Sequence, residues 1–281
     1  MKLVRYGRPG KEKPGLIDAQ GQLRDLSAVL TDIGPGQLGD PALARLRKLA
    51  TDKLPLVKGT PRLGCPVAGI GKFIAIGLNY ADHAVEAGMP IPAEPIVFMK
   101  ATNCIQGPDD PVMLPKGSRK TDWEVELGVV MGATARHVSQ KEALKCVAGY
   151  CTVNDVSERA FQLEHAGQWS KGKSAETFNP AGPWLATPEE IEDVLALGMW
   201  LDVNGVRRQT GSTATMVFDP WFIVRYLSQF MVLQPGDLIN TGTPPGVGMG
   251  FKPPVWLQPG DVMELGIDGL GTQRQQVIAP R

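Results

Sequence analysis

The chain has 281 residues, 43% of them hydrophobic and 21% charged, a balance ordinary for globular proteins that excludes global disorder. Its 29 basic and 29 acidic residues cancel to a formal net charge of zero, so no basic field for nucleic acid is on offer. The 33 glycines and 24 prolines point to many strands, turns and ordered loops rather than a helical protein.

The N-terminal MKLVRYGRPGKEKPG carries charge but lacks the apolar segment of a signal peptide. Residues 2–6 and 14–18 read as short strands joined by a turn over Gly7–Lys13. Asp40-Pro41 starts a predicted helix, with Leu43, Leu46 and Leu49 as a narrow apolar stripe. Prolines at 55, 61 and 66 follow, so residues 1–65 are expected to form a small α+β N-terminal domain and 66–281 a larger one. The larger part opens with Phe73–Gly77, a buried strand, and a short predicted helix over Asn79–Gly88. Thr121-Asp-Trp-Glu-Val-Glu-Leu-Gly-Val-Val-Met131 alternates and then turns continuously apolar, the pattern of a strand entering a core. Ser139-x-x-Glu142 is a capping box, and Gly149–Asp155 a strand ending on an acidic residue. Ser157–Glu164 reads as helical, followed by a mobile-looking Gly/Lys/Ser segment to Pro180. Asn204-Gly205 is a hairpin turn, Asp219-Pro220 starts a helix, and Leu-Gln-Pro-Gly-Asp recurs at 233–237 and 257–261 as turn chemistry. Many short strands and no regular β-α alternation imply a mixed, mainly β fold. The cysteines (65, 104, 146 and 151) show no C-x-x-C spacing, and no apolar run is membrane-spanning in length. Reduced thiols, no membrane partner and a cytoplasmic location are the expectation.

Strand alternation puts Glu124 and Glu126 on one face, where two carboxylates repel unless water or a cation intervenes. Taken alone, the pair fits a solvated strand face. Asp155 at a strand end could complete a set of three oxygen ligands, and oxygen-only ligation favours Mg²⁺ or Mn²⁺ over Zn²⁺. His83 and Glu86 are three apart on a helix, a spacing that suits either a general base and its orienting carboxylate or a surface pair. Arg159 and Gln162 share the same i,i+3 spacing. Thr241–Gly250 contains G-x-G-x-G without a following helix, a turn able to present N–H groups to an anion rather than a nucleotide site.

In this order the pieces resemble the fumarylacetoacetate hydrolase family: Gly77-Leu-Asn-Tyr-Ala-Asp-His83 with Glu86, Asp122–Val130, Asn154–Arg159, Lys171-Gly-Lys-Ser174 and Thr241–Pro244. The N-terminal part and the tail look most like the bacterial branch acting on 2,4-diketo-3-deoxy-L-rhamnonate or L-fuconate, some of whose members carry the older label ureidoglycolate lyase. The resemblance implies a β-sandwich roll, a homodimer, and Glu124, Glu126 and Asp155 as ligands of Mg²⁺ or Mn²⁺. It implies His83 and Glu86 as the water-activating dyad and Lys173 as the stabiliser of developing negative charge. Tyr80, Arg159, Gln162 and Thr243 fall at substrate-side positions. The implied reaction is hydrolysis of the C3–C4 bond of a 2,4-diketo acid to pyruvate and a small hydroxy acid such as lactate. Acylpyruvate or fumarylpyruvate hydrolysis and oxaloacetate decarboxylation use the same logic, and a metal-retaining binding module is the non-enzymatic alternative.

Overall fold

The computed structural model describes residues 1–86 and 88–281. An eleven-stranded sheet dominates it, running in the order Leu23–Asp25, Lys13–Ile17, Lys2–Tyr6, Asn179–Ala186, Val147–Asn154, Val125–Met131, Leu238–Asn240, Phe73–Gly77 and Ile96–Met99, with two short strands beside this path. Neighbours along that path are antiparallel except Leu238–Asn240 with Phe73–Gly77. Lys2 pairs with Ala186 and Leu3 with Leu185, so the N-terminal strands extend the central sheet across the seam expected at residue 65. A five-stranded sheet built on Gly198–Val203, Val206–Ser212, Val262–Ile267 and Gly271–Ile278 packs against it.

The core lies between these sheets. Val125, Leu127 and Val129 from one meet Leu201, Met263 and Leu265 from the other within a single apolar cluster. Amide side chains caught in the seam are paired: Gln273 Nε2 donates to Thr152 O at 2.7 Å and Gly182 O at 2.9 Å, and Asn154 Nδ2 donates to Gln275 Oε1 at 3.1 Å. A buried amide left unpaired would cost about 1–3 kcal/mol, so these bonds also lock the register of the two sheets.

Local chemistry explains most elements. The Asn204-Gly205 turn has φ of +52° and +73°, the left-handed pair a two-residue hairpin requires. Asp219 caps the helix Pro220–Leu227 by accepting from Phe222 N at 2.7 Å. Ser139 and Glu142 form the expected capping box, although the helix they open spans only Gln140–Ala143 before tightening. In the two Leu-Gln-Pro-Gly-Asp turns, Asp237 accepts from Gln234 N and Asp261 from Gln258 N, both at 2.7 Å. The four cysteines are free thiols.

Four expectations change. The stretch 121–131 is not one strand: Thr121–Asp122 and Val125–Met131 are separated at Trp123-Glu124. There the Glu124 N–H goes to Asn154 Oδ1 at 3.2 Å and the Val125 N–H to Gln209 Oε1 at 3.0 Å, so side chains replace the ladder. Ser157–Glu158 is a strand paired with Thr121–Asp122, and only Ala160–Glu164 is helical, as a π turn. The mobile-looking segment contains a helix, Ser170–Lys173. Gly172 makes that helix possible, because a Cβ there would lie 2.5 Å from Glu158 O and 2.6 Å from Gln162 Cβ. The helix expected over 79–88 is Ala81–Glu86, with Gly88 at φ +65°; Ala87 lies outside the described residues.

Candidate active site

Three elements deliver carboxylates to one point. Glu126 comes from the Val125–Met131 strand, Glu124 from the break before it, and Asp155 from the end of Val147–Asn154. All are buried, and one oxygen from each lies within 4.8 Å of the others. The register explains the convergence: Val125 pairs with Asn154, which sets Glu124 and Asp155 side by side, and Asp155 N donates to Glu124 O at 2.9 Å.

Buried cations thread between the carboxylates. Lys173 Nζ donates to Glu124 Oε2 at 2.6 Å and to Asp155 Oδ2 at 2.9 Å. Lys100 Nζ bonds the other oxygen of Asp155, and also Phe178 O at 3.0 Å. The Arg159 guanidinium donates to Asp122 Oδ2 at 2.8 Å and sits 2.6 Å from Glu124 Oε1. The result is a chain of alternating charge: Asp122, Arg159, Glu124, Lys173, Asp155, Lys100. Glu126 stands outside it, its Oε2 accepting from the Gly242 N–H at 2.8 Å.

Electrostatics follow this layout. Burial pushes the Glu124 carboxyl up, but the adjacent Lys173 and Arg159 outweigh it and hold the group at about 2. At Glu126 the balance reverses: burial, then Asp155 and Glu124, outweigh Lys173 and the Gly242 N–H and raise it well above the usual carboxylate range. For Lys173, burial opposes the charge and the flanking Asp155 and Glu124 more than restore it, leaving its pKa raised. Four buried carboxylates (Asp122, Glu124, Glu126, Asp155) face three buried cations (Lys100, Arg159, Lys173), one negative charge in excess when all are ionised, which the proton favoured on Glu126 offsets. A divalent cation in place of that proton would leave one positive charge, and the oxygen-only donor set suits Mg²⁺ or Mn²⁺.

The dyad forms as expected. His83 is buried, and its Nδ1 lies 3.0 Å from Glu86 Oε2. Glu86 Oε1 accepts from Gly246 N at 2.9 Å. The glycine turn 241–250 does present N–H groups to anions, and those anions are the protein's own: Gly242 binds Glu126, Gly246 binds Glu86, and Gly248 binds Asp122 at 2.6 Å.

A cavity of about 100 Å³ joins these groups; His83, Glu124, Glu126, Arg159, Gln162, Lys173 and Thr243 all line it. Tyr80 does not. It is fully buried with its hydroxyl 3.1 Å from Met199 Sδ, a core contact, which corrects its expected place beside the substrate. Two further expectations change in kind. Arg159 reaches the cavity, but its Nε donates to Asp122, its Nη1 to Gln162, and its Nη2 is ion-paired with Glu124, so it braces a ligand. The Thr243 hydroxyl donates to Val125 O at 2.9 Å and accepts from Gln209 Nε2 at 2.8 Å. Gln162 gives only its Oε1, to Arg159 at 3.0 Å, and its amide nitrogen makes no hydrogen bond among the described residues. Lys171 is exposed and binds His165 O, as expected of a lysine outside the site.

Sequence reasoning missed Lys100 and Asp122 as members of the network. For Lys100 a signal existed: it follows the Ile96–Met99 strand two residues after Phe98, which puts it on the same inward face.

A family profile described as fumarylacetoacetate (FAA) hydrolase C-terminal matches residues 72–278. A Burkholderia multivorans protein, named only as a candidate hydrolase, is 59% identical over 282 residues, covering 100% of each chain. The structure resembles fumarylacetoacetate hydrolase from psychrophilic Exiguobacterium antarcticum, with TM-score 0.86, 35% identity and 99% coverage of both chains. It also resembles maleylpyruvate hydrolase from Sphingobium sp. SYK-6, solved with manganese(II) and pyruvate, with TM-score 0.81, 28% identity and 100% coverage of both chains. No helix among the described residues is long and apolar enough to cross a membrane.

Proposed function

Because the chain belongs to the fumarylacetoacetate hydrolase family, we propose that it hydrolyses the C3–C4 bond of a 2,4-diketo acid, releasing pyruvate. The observation that carries this reading is the shared cavity, lined by Glu124, Glu126, His83 and Lys173, with Asp155 completing the acidic triad and Glu86 bonded to His83 behind its wall. Its finer form takes 2,4-diketo-3-deoxy-L-rhamnonate or -fuconate as substrate and gives lactate or a similar hydroxy acid as second product, in a cytoplasmic homodimer.

Glu124, Glu126 and Asp155 would hold Mg²⁺ or Mn²⁺. A cation there would supply Lewis-acid chemistry to the oxygens of the substrate. Glu86, accepting from His83 Nδ1–H, fixes the tautomer that leaves Nε2 free to take a proton from water. The water oxygen attacks the C4 carbonyl. Lys173 has three N–H donors, two of them used on Glu124 and Asp155, and the third is available to the oxyanion that forms at C4. Collapse of that oxyanion breaks C3–C4, and the protonated His83 returns its proton to C3.

The test is pyruvate release by the purified protein from a panel of 2,4-diketo acids, with and without EDTA. Metal-dependent release is expected, and fastest with the deoxy sugar acids. No pyruvate from any member overturns the reading; faster turnover of plain acylpyruvates overturns only the sugar-acid assignment.

A further inference from the structure

Resting on the hydrolase reading above, we infer that the site selects diketo acids whose acyl group is short and uncharged, and discriminates against a second carboxylate. The cavity has two chemically different ends. The deep end holds the ionic network, where Glu126 and Asp155 are each 1% exposed and Glu124 5%. The mouth is marked by Met89 and Leu163, 46% and 45% exposed, and both line the cavity. Between them the wall is Ile76, Phe98, Trp169 and Met249. A 2,4-diketo acid whose carboxylate sits at the triad therefore extends its acyl group along apolar and aromatic surface.

Charge bookkeeping points the same way. With a divalent cation the buried network carries one positive charge in excess, which one substrate carboxylate neutralises. The only cationic side chains lining the cavity among the described residues are Arg159 and Lys173, and both are held by Asp122, Glu124 and Asp155. A carboxylate on the acyl end would find no counter-charge on that wall, and an unpaired charge against apolar surface is disfavoured. A single hydroxyl is different, because the free amide nitrogen of Gln162 can serve it. The enclosed space is small, about 100 Å³, which suits a short acyl tail.

The aromatic part of this wall is rigid. A Cβ on Gly77 would overlap the Trp169 ring, so that ring lies directly on the Phe73–Gly77 strand, and it meets Phe98 edge to face at 5.4 Å. Trp169 and Leu163 are thereby assigned as specificity-determining residues.

Binding of 2-oxohexanoate and 2-oxoadipate to the Mn²⁺-loaded full-length protein, by calorimetry, tests this without depending on turnover. Neither compound has a 4-keto group to cleave, and they differ by one terminal carboxylate. The monocarboxylate, 2-oxohexanoate, is expected to bind at least about tenfold more tightly. Leu163→Arg, at a half-exposed position, should narrow or reverse the ratio. Equal affinities, tighter 2-oxoadipate, or binding of neither acid overturns the inference. A retained preference without pyruvate release from any diketo acid overturns the hydrolase reading alone.

Discussion

The two oxygens of Glu86 are divided between two jobs: Oε2 sits 3.0 Å from His83 Nδ1, and Oε1 is held by the Gly246 N–H at 2.9 Å. A carboxylate anchored at one oxygen orients the imidazole with the other, which a freely rotating surface glutamate does not do. Glu86→Gln keeps the shape and loses the charge. It should lower kcat by about 10²–10⁴-fold while leaving Mn²⁺ affinity unchanged. Steady-state kinetics beside a metal titration checks both halves; weaker metal binding would place Glu86 in the wrong role.

Glu126 makes metal binding pH-dependent. In the metal-free protein, burial and the neighbouring Asp155 and Glu124 raise its pKa, so its buried proton favours the fold. That contribution is full below the ordinary carboxylate range and is lost as pH rises toward the raised value. A divalent cation takes the proton's place. The rise in Tm on adding Mn²⁺ should therefore be larger at pH 8 than at pH 6, and Glu126→Ala should abolish it at both. A shift in the alanine variant equal to wild type removes Glu126 from the ligand set.

Lys173 and Lys100 are both buried yet face different partners, and their removal should separate. Lys173→Met strips the cation shared by Glu124 and Asp155 and leaves them only Arg159 and Lys100, respectively, as cationic partners. Loss of one partner from such a buried cluster costs about 3–5 kcal/mol, so the metal-free variant should melt markedly lower. Mn²⁺ should restore most of that stability without restoring kcat, which falls by about 10²–10³ when an oxyanion donor is lost. Lys100→Met removes a group absent from the cavity lining, so its loss should appear chiefly as weaker Mn²⁺ binding through a loosened Asp155. Chemical denaturation with and without Mn²⁺, together with kcat, distinguishes the two.

Gly77→Ala probes the cavity wall. The new methyl collides with the Trp169 ring, and overpacking of this kind costs about 1–3 kcal/mol. A smaller partner in the double variant Gly77→Ala, Trp169→Ala should remove the clash, giving a coupling energy in a double-mutant cycle. Additive effects would mean that the ring does not rest on Gly77.

Local signals in the sequence were accurate where one or two residues decide the geometry. Asn204-Gly205, Asp219-Pro220 and the capping box Ser139–Glu142 each carry their own hydrogen-bond donor or dihedral preference, so they form largely irrespective of what surrounds them. The Glu124–Glu126 pair and the His83–Glu86 dyad were legible for a related reason: each is written at short spacing, two residues apart along an extended segment and three apart on a helix, whereas Asp155 joins the carboxylates only through strand pairing.

What the sequence left open was every feature whose partner is distant in the chain. Lys173 looked like a solvated lysine because its Gly-rich segment has no apolar pattern; only the approach of Gly172 to Glu158 and Gln162 creates the helix that buries it. Arg159 and Thr243 looked free for substrate until Asp122 and Gln209, 37 and 34 residues away in sequence, claimed their polar atoms. Tyr80 lay within the matching motif, yet packing turned its hydroxyl to Met199. By itself the sequence determined which groups could ionise, cap or ligate, because those are properties of residue type and local spacing. The tertiary structure decided which were buried, which already had a partner and which still faced the cavity, because desolvation and charge pairing depend on neighbours that only the fold brings together.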